Sequence, residues 1–268
     1  MPVINTNTNA AYAQDALKVN SKVMGTAMQQ LATGNRINAA KDDAAGLSIS
    51  QNMTSQVRGL NQAVRNLNDG INLLQTADGG LVETSNMLQR MRELAVQSSN
   101  STNSVSQRAY LNNEFQSLTT EINRIASGTT WNNAGVYNAS LTFQAGMNAG
   151  NLISISIPAM DAGGIGVSGA TISTFETSQA SISALDVAID KVNSSRSTMG
   201  AVMNQLNYSA DNLTNISTNI AASRSSIMDT DYATASATLS KSQIVQQAAT
   251  AMLAQANQQP QSVLSLIK

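Results

Sequence analysis

A repeat of seven residues constrains this chain more than any other feature of its sequence. Leu185, Val192, Met199, Leu206, Leu213, Ile220 and Ile227 follow one another at unbroken steps of seven. Seven residues are almost two helical turns, so these side chains fall along one narrow stripe of a single long helix. Ile182, Ile189, Met203 and Ala210 widen the stripe from three positions before, with Arg196 as its polar exception and Ile216 on the other flank. So narrow an apolar seam cannot bury itself and calls for a partner helix. The earlier half of the chain offers one. Leu60, Leu67, Leu74, Leu81 and Leu88 keep the same period, Ala95 continues it, and Val57, Val64 and Ile71 stand three positions before the first three leucines. Past Asp78-Gly79-Gly80 the companion set becomes Ala77, Thr84 and Met91. That shift predicts a slight rotation of the seam and a kink or loosening at the glycines. The three prolines, Pro2, Pro158 and Pro260, leave both segments uninterrupted.

A helix from Thr54 to Gln97 would measure roughly 65 Å at 1.5 Å per residue. A compact globule of this length has a radius of gyration of only about 18 Å. The expected fold is therefore mainly α: a long antiparallel coiled-coil-like helical rod with a small β-hairpin patch and weaker helices at both ends. One weak helix covers Ala10 to Leu31, with Ala13, Leu17, Met24, Ala27 and Leu31 on its apolar side and Asn20 in the seam. The other covers Tyr232 to Ala256, where Leu239, Ile244, Ala248, Met252 and Leu253 stand among Ala and Gln. Helices with so shallow a contact face order by packing against something else. From Trp131 to Thr177 the composition turns to Gly, Asn and Ser. Asn132-Asn133-Ala134-Gly135 is turn chemistry, Leu141 and Phe143 alternate, and Ile153, Ile155 and Ile157 alternate with serines until Pro158 ends the strand. The expected segments are 1–45 and 231–268 at the ends, rod helices in 46–130 and 179–230, and the β and loop region 131–178.

Composition narrows the chemistry. The chain has no Cys and no His, which removes the usual ligands of zinc, copper and iron and the commonest general base at neutral pH. Only 12% of its residues are charged and 3% aromatic, with 15 Lys and Arg against 16 Asp and Glu. No basic cluster marks a nucleic-acid footprint or an anionic membrane patch. No stretch is long and apolar enough for an ordinary membrane span, and the first ten residues lack the pattern of a Sec-type signal peptide. Gly164-Ile165-Gly166-Val167-Ser168-Gly169 fits the dinucleotide fingerprint, with Asp186 further on. That fingerprint requires a helix at its last glycine and an acid ending a second strand, whereas Asp186 sits inside the heptad helix. A flexible Gly/Ser loop is the expected structure there. Asp42-Asp43 and the pair Asp229 and Asp231 read as helix caps rather than metal ligands. Neither a metal nor any other cofactor is expected, and an enzyme is not.

The ends of the chain carry long motifs of a known kind. INTN at Ile4 to Asn7, LATGNRINAAKDDAAGLSIS from Leu31 to Ser50, DGINLLQTADGGL from Asp69 to Leu81 and LQRMRELAVQSSNST from Leu88 to Thr102 resemble the bacterial flagellins. So do FQAGMNAGNLISISI from Phe143 to Ile157 and the stretch from Asn215 to Ile267. The resemblance spans nearly the whole chain and is that of a short flagellin, with no room in Trp131 to Thr177 for the outer domains of larger ones. One departure is Trp131-Asn132-Asn133, where the family more often has Phe-Asn-Gly, which leaves the geometry of that turn open.

The resemblance implies a filament subunit whose terminal helices pack in the filament core. Leu17, Met24, Leu31, Leu239, Ile244, Leu253 and Leu264 would be core contacts, and the ends of the free monomer would be disordered. It implies export in unfolded form through the flagellar type III apparatus, secretion to an extracellular filament, and partners in further copies of the chain, the flagellar cap and hook-junction proteins, and an export chaperone at the C-terminal region. It also implies recognition of the monomer by a host's Toll-like receptor 5, with Arg90, Leu94 and Glu114 as contacts. No nucleic acid and no membrane insertion belong to this picture. A hook-filament junction protein shares the end motifs and remains an alternative, as does an adhesin role for the exposed loop region.

Overall fold

The computed structural model describes residues 6–266, and side chains as far as Gln258. The chain forms two compact units, one of Met1–Ser55 with Asn219–Lys268 and the other of Gln56–Thr218. Among the described residues six helices, α1 (Thr8–Thr33), α2 (Ala44–Ser98), α3 (Val105–Gly128), α4 (Ala162–Ile165), α5 (Phe175–Met228) and α6 (Tyr232–Leu266), accompany two small hairpins. The first hairpin joins β1 (Thr130–Trp131) to β2 (Ala134–Gly135). The second joins β3 (Ala139–Gln144) to β4 (Leu152–Ile157), antiparallel with Ala139 opposite Ile157 and Gln144 opposite Leu152.

In the first unit α1 packs on α6, so the two ends of the sequence meet. Asn7 caps α1 by accepting from the Ala10 amide at 3.0 Å, and its own amide donates to the Ala256 carbonyl at 2.8 Å. Asn20, the polar residue in the weak seam, donates to the Ser242 carbonyl at 2.7 Å. As α1 numbers rise from 7 to 20, their partners fall from 256 to 242, which makes the pair antiparallel. Among the described residues Ala10, Ala27, Ala235 and Ser242 are buried in this pair. Small side chains bring the helices close, and the two asparagines set the register, as a polar seam residue does in coiled coils. Arg36 joins the turns of this unit: its amide and guanidinium donate to the Met228 and Ile227 carbonyls, which satisfies the open end of α5. Asp43 accepts from the Gly46 amide at the start of α2, and Asp231 accepts from the Ala233 and Thr234 amides at the start of α6, both as caps.

In the second unit the α2 and α5 segments run antiparallel. Arg92 bonds Asp186 at 2.7 Å, Asp78 accepts from Arg196 at 2.8 Å, and Asn61 accepts from Ser217 at 3.0 Å, so one number rises as the other falls. Arg196, the polar exception of the heptads, thus faces an acid of the partner segment. Helix α2 runs unbroken through Gly79 and Gly80. Gly80 serves a close approach: a Cβ would overlap the Tyr137 hydroxyl, which donates to the Ala77 carbonyl at 2.6 Å. Gly70 likewise leaves room for the Phe143 ring, within 2.9 Å of where a Cβ would stand, and Gly59 for Met147 at 3.1 Å. Steps of ten and eleven residues are about three helical turns, so the three glycines share one face on which the hairpin side chains lie.

Asn132 and Asn133 have φ of 49° and 63°, the left-handed pair that a two-residue type I′ hairpin demands. Asn tolerates this region better than other residues with a Cβ, so it stands in for the glycine of Phe-Asn-Gly. The segment after β4 is not the flexible loop expected from its glycines. Asn112, Gln116 and Asn123, on one face of α3, bond the backbone at Ile172, Ala170 and Ala162, each at 2.9 Å. Ser98 and Ser181 donate to the Ile172 and Thr171 carbonyls. Ile165, Val167 and Ile172 are buried beneath this strap, and Gly166, at φ 91°, closes α4. The fingerprint glycines therefore build a capped turn. Between α2 and α3, buried Arg108 donates to the Asn100 and Asn103 carbonyls and closes the turn.

Candidate interaction surfaces

Three groups of residues bear on what the molecule can do. The heptad side chains form the first. Leu60, Leu67, Leu74, Leu81 and Leu88 on α2, and Leu185, Val192, Met199, Leu206 and Leu213 on α5, are buried. Ile220 and Ile227 continue the period into the other unit, where they are half-buried. The period persists while its burial fades, because a seam excludes water only where other elements close over its flanks. These residues carry stability and offer nothing to a partner.

The second group surrounds Arg90. Its guanidinium bonds Glu114 of α3 and Glu93 one turn along α2, both at 2.9 Å. All three side chains are exposed. Hydrogen bonding to Glu93, then to Glu114, raises the Arg90 pKa above its ordinary value, so the guanidinium keeps its charge at any physiological pH. Leu94 stands apart. Its side chain is 1% exposed, which corrects the expectation that it touches a partner. A heptad neighbourhood explains the burial: Met91, Leu94 and Ala95 all turn inward here, and only the charged positions between them face out.

The third group lies on the α1–α6 pair. Leu17, Met24, Leu31, Leu239 and Leu253 are half-buried, Ile244 is 66% exposed, and the Leu264 side chain lies outside the described residues. Sequence periodicity missed the other open apolar positions, Tyr12, Val19, Val23 and Met28 on α1 and Val245 on α6, while Met252, which it did mark, is likewise exposed. A groove of about 450 Å³, lined by Tyr12, Ala13, Ala16, Ala249 and Met252 among others, runs between the two helices. The exposed set was hidden from the sequence because the companion helix that covers the other positions comes from the far end of the chain. Among the described residues no cluster of acids could hold a metal ion, and no helix is long and apolar enough to cross a membrane.

Two apolar helices packed on each other with further apolar area left open describe a subunit, and known proteins say of what kind. The bacterial flagellin N-terminal helical region matches residues 4–142, and the bacterial flagellin C-terminal helical region matches residues 182–267. The chain belongs to the bacterial flagellin family. A flagellin of Halalkalibacterium halodurans is 43% identical over 271 residues, covering 99% of this chain and all of the relative. The flagellar filament 33 kDa core protein of Treponema phagedenis is 39% identical over 285 residues, again covering 99% of this chain and all of the relative. Among solved structures, the crystal structure of Bacillus cereus flagellin superposes with a TM-score of 0.51 at 31% identity, covering 60% of this chain and 94% of that one. The two flagellin regions leave 143–181 between them, which holds most of the second hairpin and the strap.

Proposed function

We propose that this flagellin builds its filament through the open apolar face of the α1–α6 pair, and that segments 1–45 and 231–268 are the filament-core segments. The chain is a structural subunit of the bacterial flagellar filament. One observation supports the placement of its assembly face: Tyr12, Val19, Val23, Met28, Ile244, Val245 and Met252 are exposed on two helices that already bury their small residues against each other. Apolar area so placed gains most by meeting more of its own kind. Segments 46–130 and 179–230 supply the rod helices, and 131–178 the small β and loop region. Filament-core contacts then include Ile244 directly, with Leu17, Met24, Leu31, Leu239 and Leu253 setting the shape of the pair, and Leu264 as a further contact.

The subunit is exported unfolded by the flagellar type III apparatus, with a chaperone on its C-terminal region, and joins the extracellular filament beneath a cap protein, beyond the hook-junction proteins. The absence of Cys, which leaves no disulfide to form, suits such transit. The free monomer is recognised by Toll-like receptor 5 through the exposed Arg90 and Glu114, while buried Leu94 keeps α2 in shape beneath them.

Purified chain added to short filament fragments should elongate them under the electron microscope, and Val19→Asp with Ile244→Asp should stop elongation without loss of helix content. Elongation unchanged by both substitutions would remove this assembly face. For the receptor, Arg90→Ala should weaken signalling by monomer, and an unchanged response would withdraw Arg90.

A further inference from the structure

The chain has twelve methionines and no cysteine, so methionine thioethers are its only side-chain sulfur and the groups a peroxide attacks first. The fold exposes them unequally. Met91, Met160 and Met199 are at most 2% exposed within the second unit, whereas Met252 on α6 is 66% exposed and Met28 on α1 is 48% exposed. Both belong to the open apolar positions of the α1–α6 pair, and Met252 lines the groove there with Tyr12, Ala13 and Ala16. Met147, in the turn of the second hairpin, is exposed as well but lies outside that face. A thioether suits an assembly face, because it is apolar, flexible and adapts to whatever side chains it meets. Its sulfoxide does not. The S–O group is polar, and in an apolar contact it finds no donor to replace water.

We propose that Met252, seconded by Met28, is a peroxide-sensitive modification site that switches assembly off. Hydrogen peroxide gives each thioether one oxygen atom: an S–O bond forms, the O–O bond breaks, sulfur loses two electrons, and the other oxygen leaves as water. The modified subunit keeps the core of its second unit, where Met91, Met160 and Met199 are buried, and loses the apolar match its end helices need. A subunit whose α1–α6 face is already covered by neighbours is spared. Growth of the filament is therefore sensitive to peroxide, while grown filament resists it. The inference rests on the assembly face proposed above and adds a chemical control of that face.

Monomer treated with hydrogen peroxide, freed of it and offered to untreated seeds tests the switch. Peptide mass spectrometry should find the added oxygen on Met252 and Met28 well before Met91, Met160 and Met199, and the concentration needed for elongation should rise about tenfold. Methionine sulfoxide reductases for both sulfoxide epimers should restore growth, the oxygen leaving as water while dithiothreitol becomes a disulfide. Met28→Leu with Met252→Leu conserves volume and apolar character, so this variant should elongate like the parent and continue to do so after peroxide. Met252→Gln, polar without any oxidant, should raise the concentration needed by itself. The proposal falls if monomer carrying both sulfoxides elongates like untreated chain, if the leucine variant loses growth to peroxide as the parent does, or if Met252 oxidises as fast in filaments as in monomer. Failure of the untreated parent to elongate on any seed would instead overturn the filament reading, and this switch with it.

Discussion

At the scale of single residues, Gly79 and Gly80 are neighbours with opposite meanings. A side chain at Gly79 meets nothing within 4 Å, so Gly79→Ala should stabilise the second unit by up to about 1 kcal/mol through helix propensity alone. Gly80→Ala gains the same propensity but pushes the Tyr137 hydroxyl off the Ala77 carbonyl, and should destabilise by about 1–3 kcal/mol. Urea unfolding of the pair separates them, and equal effects would remove the close-approach role given to Gly80. Tyr137 itself makes a pH prediction. Burial, with some help from the charge of Asp78, raises its pKa from 10.0 to about 12, while a hydrogen bond with Thr129 opposes the shift. Folding therefore favours the neutral phenol. Its stabilising effect is complete below pH 10 and is lost as pH rises from there towards 12. Absorbance titration should show one of the five tyrosines ionising late, and Tyr137→Phe should remove that late step. Five tyrosines ionising together near pH 10 would contradict the burial described for Tyr137.

At the scale of elements, the α2–α5 seam gives a graded test. Leu206 is fully buried in it, and Leu206→Ala should cost about 2–5 kcal/mol. Ile189, on the flank and half-buried, loses less apolar contact, and Ile189→Ala should cost about 1–2 kcal/mol. Thermal unfolding that ranks them the other way would mean that the seam is not centred on the heptad positions. That centre was legible in the sequence because a strict period leaves no choice of helix face. The alternation of Ile153, Ile155 and Ile157 marked β4 for a similar reason. The strap over 162–172 was not legible, since Asn112, Gln116 and Asn123 hold it by bonding backbone groups, and such bonds impose no pattern on the residues they hold. Three isolated apolar residues, Ile165, Val167 and Ile172, were the available signal. The glycines of α2 were ambiguous for a different reason: in a helix a glycine marks a bend or a close neighbour, and only the position of Phe143 or Tyr137 shows a close neighbour.

At the scale of the whole molecule, composition acquires a physical role. With 15 basic against 16 acidic residues and only 12% charged overall, copies of the chain meet with little net repulsion. Ala, Ser, Asn and Gln let helices approach closely at the α1–α6 pair, where the buried residues among those described are no larger than alanine and serine. The division of labour between the two units then makes a prediction. The second unit owns the buried part of the seam, the hairpins and the strap, all within Gln56–Thr218, so it keeps its core when the chain ends are removed. The first unit depends on both ends at once, because α1 and α6 are each other's partner. Deleting 1–40 strips α6 of the Asn7 and Asn20 side chains that donate to its carbonyls, and deleting 235–268 strips α1 of the carbonyls that accept them. Either deletion should leave a folded second unit with unchanged thermal unfolding, loosen the remaining end helix as judged by amide hydrogen exchange, and abolish elongation of seeds. Adding the two truncated chains together should not restore growth, because neither brings an intact α1–α6 pair. Filaments grown from either truncated chain alone would show that assembly does not run through that pair.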